Sequence, residues 1–133
     1  MSSVEYSLAI EVDRDFDDVV AATREALAAE GFGVLMEIDG RATMKAKLGV
    51  DREDYLILGA CNPHLAHQAL EAEPELGVLL PCNVVVYRTG DRTRVSAVAA
   101  EQMLGMVGND DLAPVATEVA ARLDRVLAAV AAG

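Results

Sequence analysis

Residues 59–67 read Gly-Ala-Cys-Asn-Pro-His-Leu-Ala-His, and residues 80–83 read Leu-Pro-Cys-Asn. These two segments hold both cysteines and both histidines of the chain. Cys61, His64 and His67 form a Cys-x-x-His-x-x-His run, and a three-residue step on a helix puts the two imidazoles on one face. Asn62 suits a helix N-cap, with Pro63 at the first helical position, where its missing N–H costs nothing. A thiol just before such a helix feels the positive end of the macrodipole, which favours the thiolate. Cys82 repeats the Cys-Asn pair at the start of the next strand, so neighbouring strands would bring the two thiols together. Three chemistries fit. Free cysteines commonly act as small buried hydrophobes with a weak S–H donor. Cys61, Cys82 and one histidine have the ligand types for Zn²⁺ or Cu⁺, at a spacing that matches no standard site. A lowered thiol pKa would support redox chemistry or a transient disulfide. Asn62 in its structural role caps a helix, whereas Asn83 either bonds a neighbouring loop or aims its amide at a ligand.

Other polar clusters carry less. Arg41, Lys45, Lys47 and Arg52 are the one basic cluster, and Asp39, Asp51, Glu53 and Asp54 surround it, which reads as a solvated, internally paired face. Arg88, Arg92 and Arg94 flank a turn and read as exposed strand residues that discourage edge pairing. Met103 and Met106 are soft enough for Cu⁺, but methionine is foremost a filler of irregular packing gaps. Gly31-Phe32-Gly33 precedes a strand and so lacks the strand–turn–helix setting of a dinucleotide fingerprint. The sequence has no P-loop, no Gly-x-Ser-x-Gly elbow and no His-Glu-x-x-His.

The elements that position these residues follow from periodicity. Val4, Tyr6, Leu8 and Ile10 alternate with Glu5, Ser7 and Ala9, which predicts a half-buried strand over 4–10. Asp15, with Asp18 three residues on, reads as a capping box opening a helix in which Phe16, Val19, Val20, Thr23 and Leu27 recur at helical spacing. Gly31 ends that helix, and a strand over 32–38 follows. Residues 41–48 predict a short helix, 55–60 a largely apolar central strand, and 63–73 a helix stopped before Pro74. Strands over 84–88 and 94–99 enclose the turn Thr89-Gly90-Asp91-Arg92. Residues 101–109 read as a loop or broken helix. Leu112, Val115, Ala116, Val119, Leu123, Val126, Leu127 and Val130 then form one apolar stripe, a long final helix for which Asp111 is the expected N-cap. The order βαβαβαββα, with its hairpin and long last helix, predicts an α+β layer. In it, about five mostly antiparallel strands carry helices on one face and the C-terminal helix packs across them.

Composition sets the outer limits. The 133 residues suit one domain. A net charge of −11 opposes binding to a nucleic-acid backbone or an anionic membrane surface. The acidity is uneven: ten acidic residues in the first 40 positions face only Arg14 and Arg24. No apolar run reaches the roughly 18 residues of a membrane helix, and no basic-then-apolar opening marks a secretory signal. Two cysteines cannot form a disulfide framework and fit a reducing cytoplasm.

Several segments together resemble the DUF302 family, a domain of unknown function. They are Glu30-Gly31-Phe32-Gly33-Val34-Leu35, Lys47-Leu48-Gly49-Val50, Ile57-Leu58-Gly59-Ala60-Cys61-Asn62-Pro63, Leu65-Ala66, Ala69-Leu70-Glu71 and Leu79-Leu80-Pro81-Cys82-Asn83-Val84-Val85-Val86-Tyr87. The resemblance covers nearly the whole chain, residues 1–133 forming one such domain. It implies a TATA-binding-protein-like fold class with a curved antiparallel sheet, a cytoplasmic setting and pairing into dimers, and it supplies no catalytic residue to carry over. The leading expectation is a small ligand held in a cleft lined by Cys61, Asn62, His67, Cys82 and Asn83, where strands end and a capped helix begins. The alternative is a thiol redox or Zn/Cu-handling protein using Cys61 and Cys82. A third is an interaction module that self-associates through its sheet or Met-rich loop.

Overall fold

The computed structural model describes residues 2–133. A short strand β1 (Ser2–Val4) turns into β2 (Ser7–Val12), followed by α1 (Phe16–Ala29), β3 (Gly33–Asp39) and α2 (Gly40–Leu48). Then come β4 (Tyr55–Cys61), α3 (Pro63–Ala72), a 3₁₀ turn (Pro74–Leu79), β5 (Cys82–Thr89) and β6 (Arg92–Val98). The chain closes with α4 (Ala100–Gly105), a second 3₁₀ turn (Asp110–Leu112) and α5 (Ala113–Ala132). The six strands form one sheet in the order β1-β2-β6-β5-β4-β3, with every neighbouring pair antiparallel. This is the α+β layer the element order predicts, with β1 added at one edge.

Alternation assigns the two faces. Leu56, Leu58 and Ala60 of β4, Cys82, Val84 and Val86 of β5, and Thr93, Val95 and Ala97 of β6 are all buried. They face α1 and α5, which pack on each other and on the sheet. The predicted stripe of α5 holds throughout, from Leu112 to Val130. Thr93 is the polar exception in this layer. Its hydroxyl donates to the Arg14 carbonyl at 2.8 Å and accepts from Arg88 Nη1 at 3.0 Å, so its burial leaves nothing unsatisfied.

Four local expectations need correction. The strand over 4–10 is two strands: Val4 pairs back onto Ser7, so Val4 and Tyr6 lie exposed at the turn and Leu8, Ile10 and Val12 form the inward set. Asp15 occupies the N-cap position of α1, but its side chain makes no capping bond. Asp111 lies inside the second 3₁₀ turn; the Asn109 side chain caps that turn by accepting from the Asp111 N–H at 3.0 Å, and α5 starts at Ala113. Arg88, Arg92 and Arg94 sit on interior strands, where every edge is already paired, and act as cross-strand partners: Arg94 pairs with Glu11 of β2 at 2.9 Å. Residues 100–105 settle as the helical half of the stretch left open between loop and broken helix. Among the described residues no helix is long and apolar enough to cross a membrane.

Candidate functional site

The two half-motifs meet. β4 and β5 pair antiparallel with Ala60 opposite Cys82 and Gly59 opposite Asn83, so residues 59–63 and 80–83 share one end of the sheet. Gly59 allows this contact: a Cβ there would stand 3.0 Å from the Pro81 ring and 3.4 Å from Met36. Asn62 then turns the chain into α3. Its Oδ1 accepts from the Leu65 N–H at 3.2 Å, and its Nδ2 donates to the Glu30 carbonyl at 3.5 Å. The same carbonyl accepts from Arg122 Nη1 at 2.8 Å. Asn62 thus ties the start of α3 to the end of α1. Gly31 completes the joint, since its φ of +83° suits glycine and a Cβ there would lie 3.0 Å from Asn62 Nδ2.

Beside this joint lies a cavity of about 250 Å³. Its floor is the end of the sheet, at Ala60, Cys61 and Cys82; its walls are Leu65 and Ala69 of α3, Leu76 of the first 3₁₀ turn, Met103 and Leu104 of α4, and Val115 and Val119 of α5. Phe32 and Leu80 contribute further apolar surface, and Asn62 reaches the lining with its amide committed to the cap. The two thiols are free. Cys82 is buried, and that burial, with a smaller contribution from nearby Cys61, pushes its thiol up to about 11. A thiol so placed stays protonated at neutral pH, which makes it a poor nucleophile. Among the described residues no group of three or more His, Cys, Asp or Glu side chains comes together.

Of the five residues expected at the site, two lie away from this cavity. Asn83 follows Cys82 in an extended strand, so its side chain leaves by the opposite face of the sheet, where it lines a separate depression with Tyr55, Val85, Tyr87 and Arg94. His67 is exposed on the outer side of α3, 3.8 Å from Glu71 one turn on, and His64 is likewise exposed. Two members of the basic cluster are paired internally, Arg41 with Asp54 at 3.0 Å and Lys45 with Asp51 at 3.1 Å, and Arg52 lies over the Tyr55 ring at 4.8 Å. Met103 fills packing space at the cavity wall, whereas Met106 is exposed. The greater part of the cavity lining, from Phe32 to Val119, carries no polar signal in the sequence and is indistinguishable there from ordinary core.

Residues 8–130 match the family described as "Domain of unknown function DUF302". A solved structure, an uncharacterised conserved DUF302 protein from Bacillus stearothermophilus, superimposes with a TM-score of 0.88 at 27% sequence identity, covering 95% of this chain and 98% of that one. No curated protein matches the chain.

Proposed function

Because the chain belongs to the DUF302 family, which is defined without a function, its chemistry has to be read from the cavity, and we propose that it binds a small, uncharged, largely apolar ligand there. The carrying observation is the cavity itself, about 250 Å³ walled by aliphatic side chains of α3, α4, α5 and the first 3₁₀ turn. An apolar cavity of roughly 150 Å³ accepts benzene, which scales to a ligand of about ten heavy atoms here. A neutral ligand is favoured because no charged side chain lines the space and the chain carries a net charge of −11, which repels phosphates. Cys61 and Cys82 supply soft, polarisable contacts. The thiol-redox alternative gains no support from a Cys82 thiol held protonated by burial. The free state of both thiols fits a reducing cytoplasm.

Indole, at about nine heavy atoms, is a suitable probe for a cavity of this size. Titrated into the protein and followed by NMR, it should shift the methyl signals of Ala69, Leu76 and Val119 saturably and leave those of α2 unmoved. Ala66→Phe, on the cavity lining, should abolish these shifts without lowering Tm. Cys61→Ala should retain them. Shifts scattered over the surface, or binding undiminished by Ala66→Phe, would refute the reading. Loss of binding in Cys61→Ala alone would favour a thiol-centred site.

A further inference from the structure

Two neighbouring segments carry carboxylates and no basic side chain to answer them. Residues 71–79 and 100–112 hold six acidic residues and no Lys or Arg. They are joined through Asn109, whose Nδ2 donates to the Ala72 carbonyl at 3.0 Å and to Glu73 Oε1 at 3.1 Å, pinning the turn after α4 to the end of α3. The join leaves an open groove of about 530 Å³. Leu76, Leu79 and Val107, packed on the core, line it together with Glu73, Glu75, Val78 and Met106, the last two being 79% and 68% exposed. Single apolar side chains on a surface are ordinary, whereas a groove that gathers two of them beside carboxylates has the make-up of a docking site. Beyond the 105–109 loop, Glu101 and Asp110 edge a second depression.

We propose that this groove docks a basic amphipathic segment of a partner protein, its apolar side chains against Val78 and Met106 and its Lys or Arg side chains on the carboxylates. Charge argues for that occupant. Among the described residues Glu73, Glu75, Glu101, Asp110 and Asp111 enter no salt bridge, so their charge is free to meet a partner. They are spread over two depressions and not gathered at one point. Charges spaced in this way call for cations at intervals, which a peptide supplies and a small cation does not. The exposed apolar pair between them gives the apolar half of such a peptide its contact. Val78 and Met106 lie outside the lining of the 250 Å³ cavity, so docking here and ligand binding there stand or fall separately.

The probe is a dye-labelled synthetic peptide of about 14 residues, leucine and lysine patterned as an amphipathic helix, with a glutamate-for-lysine counterpart as control. Fluorescence anisotropy against the full chain should show saturable one-to-one binding of the lysine peptide, weakening as salt rises, and none of the glutamate peptide. The double variant Val78→Ser/Met106→Ser should weaken binding by about tenfold. Glu73→Gln/Glu75→Gln, which keeps an oxygen for Asn109 at position 73, should weaken it by about fivefold. Asp17→Asn/Asp18→Asn removes the same amount of charge from exposed positions of α1 and should change it by less than about twofold. An unchanged Tm shows that each variant is folded. Equal weakening by the two charge-removing pairs would reduce the interaction to the general acidity of the chain and overturn the assignment. Full affinity in Val78→Ser/Met106→Ser would overturn it too, as would spermine binding as tightly as the peptide, or no saturation up to about 1 mM protein.

Discussion

Replacing Asn62 with alanine separates a structural amide from a ligand-binding one. The substitution removes the acceptor for the Leu65 N–H, the cap of α3, and the donor to the Glu30 carbonyl. Loss of a cap of this type costs about 1 kcal/mol, within a range of roughly 0.5–2. The second loss is smaller, because that bond is long at 3.5 Å and Arg122 still donates to the same carbonyl at 2.8 Å. A total of about 1.5 kcal/mol, with an unfolding entropy near 2.1 cal/mol/K per residue, lowers Tm by about 5 °C for 133 residues. Differential scanning calorimetry reads this directly. Asn62→Ser keeps a capping oxygen and drops only the donor, so it should recover more than half of the loss. A Tm for Asn62→Ala within about 1 °C of wild type, when the cap alone is worth several degrees, would refute the structural account. If that variant also lost indole binding, the amide would have to be reassigned to the ligand.

Two further outcomes follow from the same site. Because the Cys82 thiol titrates higher in the folded chain than its ordinary 9.0, stability from keeping it protonated is fully present below about pH 9 and is lost as pH rises through about 11. That span is worth about 2–3 kcal/mol; urea titrations between pH 8 and pH 11 should show the decline in wild type and a flatter profile in Cys82→Ala, and equal slopes would contradict the burial of the thiol. Gly31→Ala places a Cβ at φ +83° and 3.0 Å from Asn62 Nδ2, so chemical denaturation should show a loss of about 1–2 kcal/mol; a neutral or stabilising result would mean that the α1–α3 joint is loose.

The fold was legible wherever one periodicity ran long enough to have a single solution. The α5 stripe is the clearest case: eight apolar positions at helical spacing admit one buried face, and all eight are buried. The Asn62-Pro63 start of α3 was equally readable, since both residues suit the same two positions for independent reasons. Errors gathered where alternation was short or where two candidate caps competed. Val4 and Tyr6 continue the pattern of Leu8 and Ile10, but period two cannot tell a strand from a hairpin that folds back on itself. At residues 109–113, Asn109 and Asp111 are both good caps, and the intervening 3₁₀ turn decides between them.

The site was legible by half, and the missing half has a physical cause. Cys61, Asn62 and Cys82 come together because strand pairing across the β4–β5 ladder converts two sequence-distant segments into neighbours. That same pairing expels Asn83, since consecutive residues of a strand face opposite sides and Cys82 already takes the inner one. His67 fails for the helical equivalent of this reason: the faces of α3 are apportioned by Leu65 and Ala69, which line the cavity, and a residue midway between them in sequence turns outward. Polar residue types therefore marked where the cavity would be, while its lining was set by aliphatic residues of α3, α4 and α5 that no motif distinguishes from core. An apolar pocket among apolar helices is visible only once the packing is known to leave it unfilled. Such a space near dense packing has to be either a cost in stability or a place for something else, which is why a filling substitution such as Ala66→Phe tests stability and binding in opposite directions.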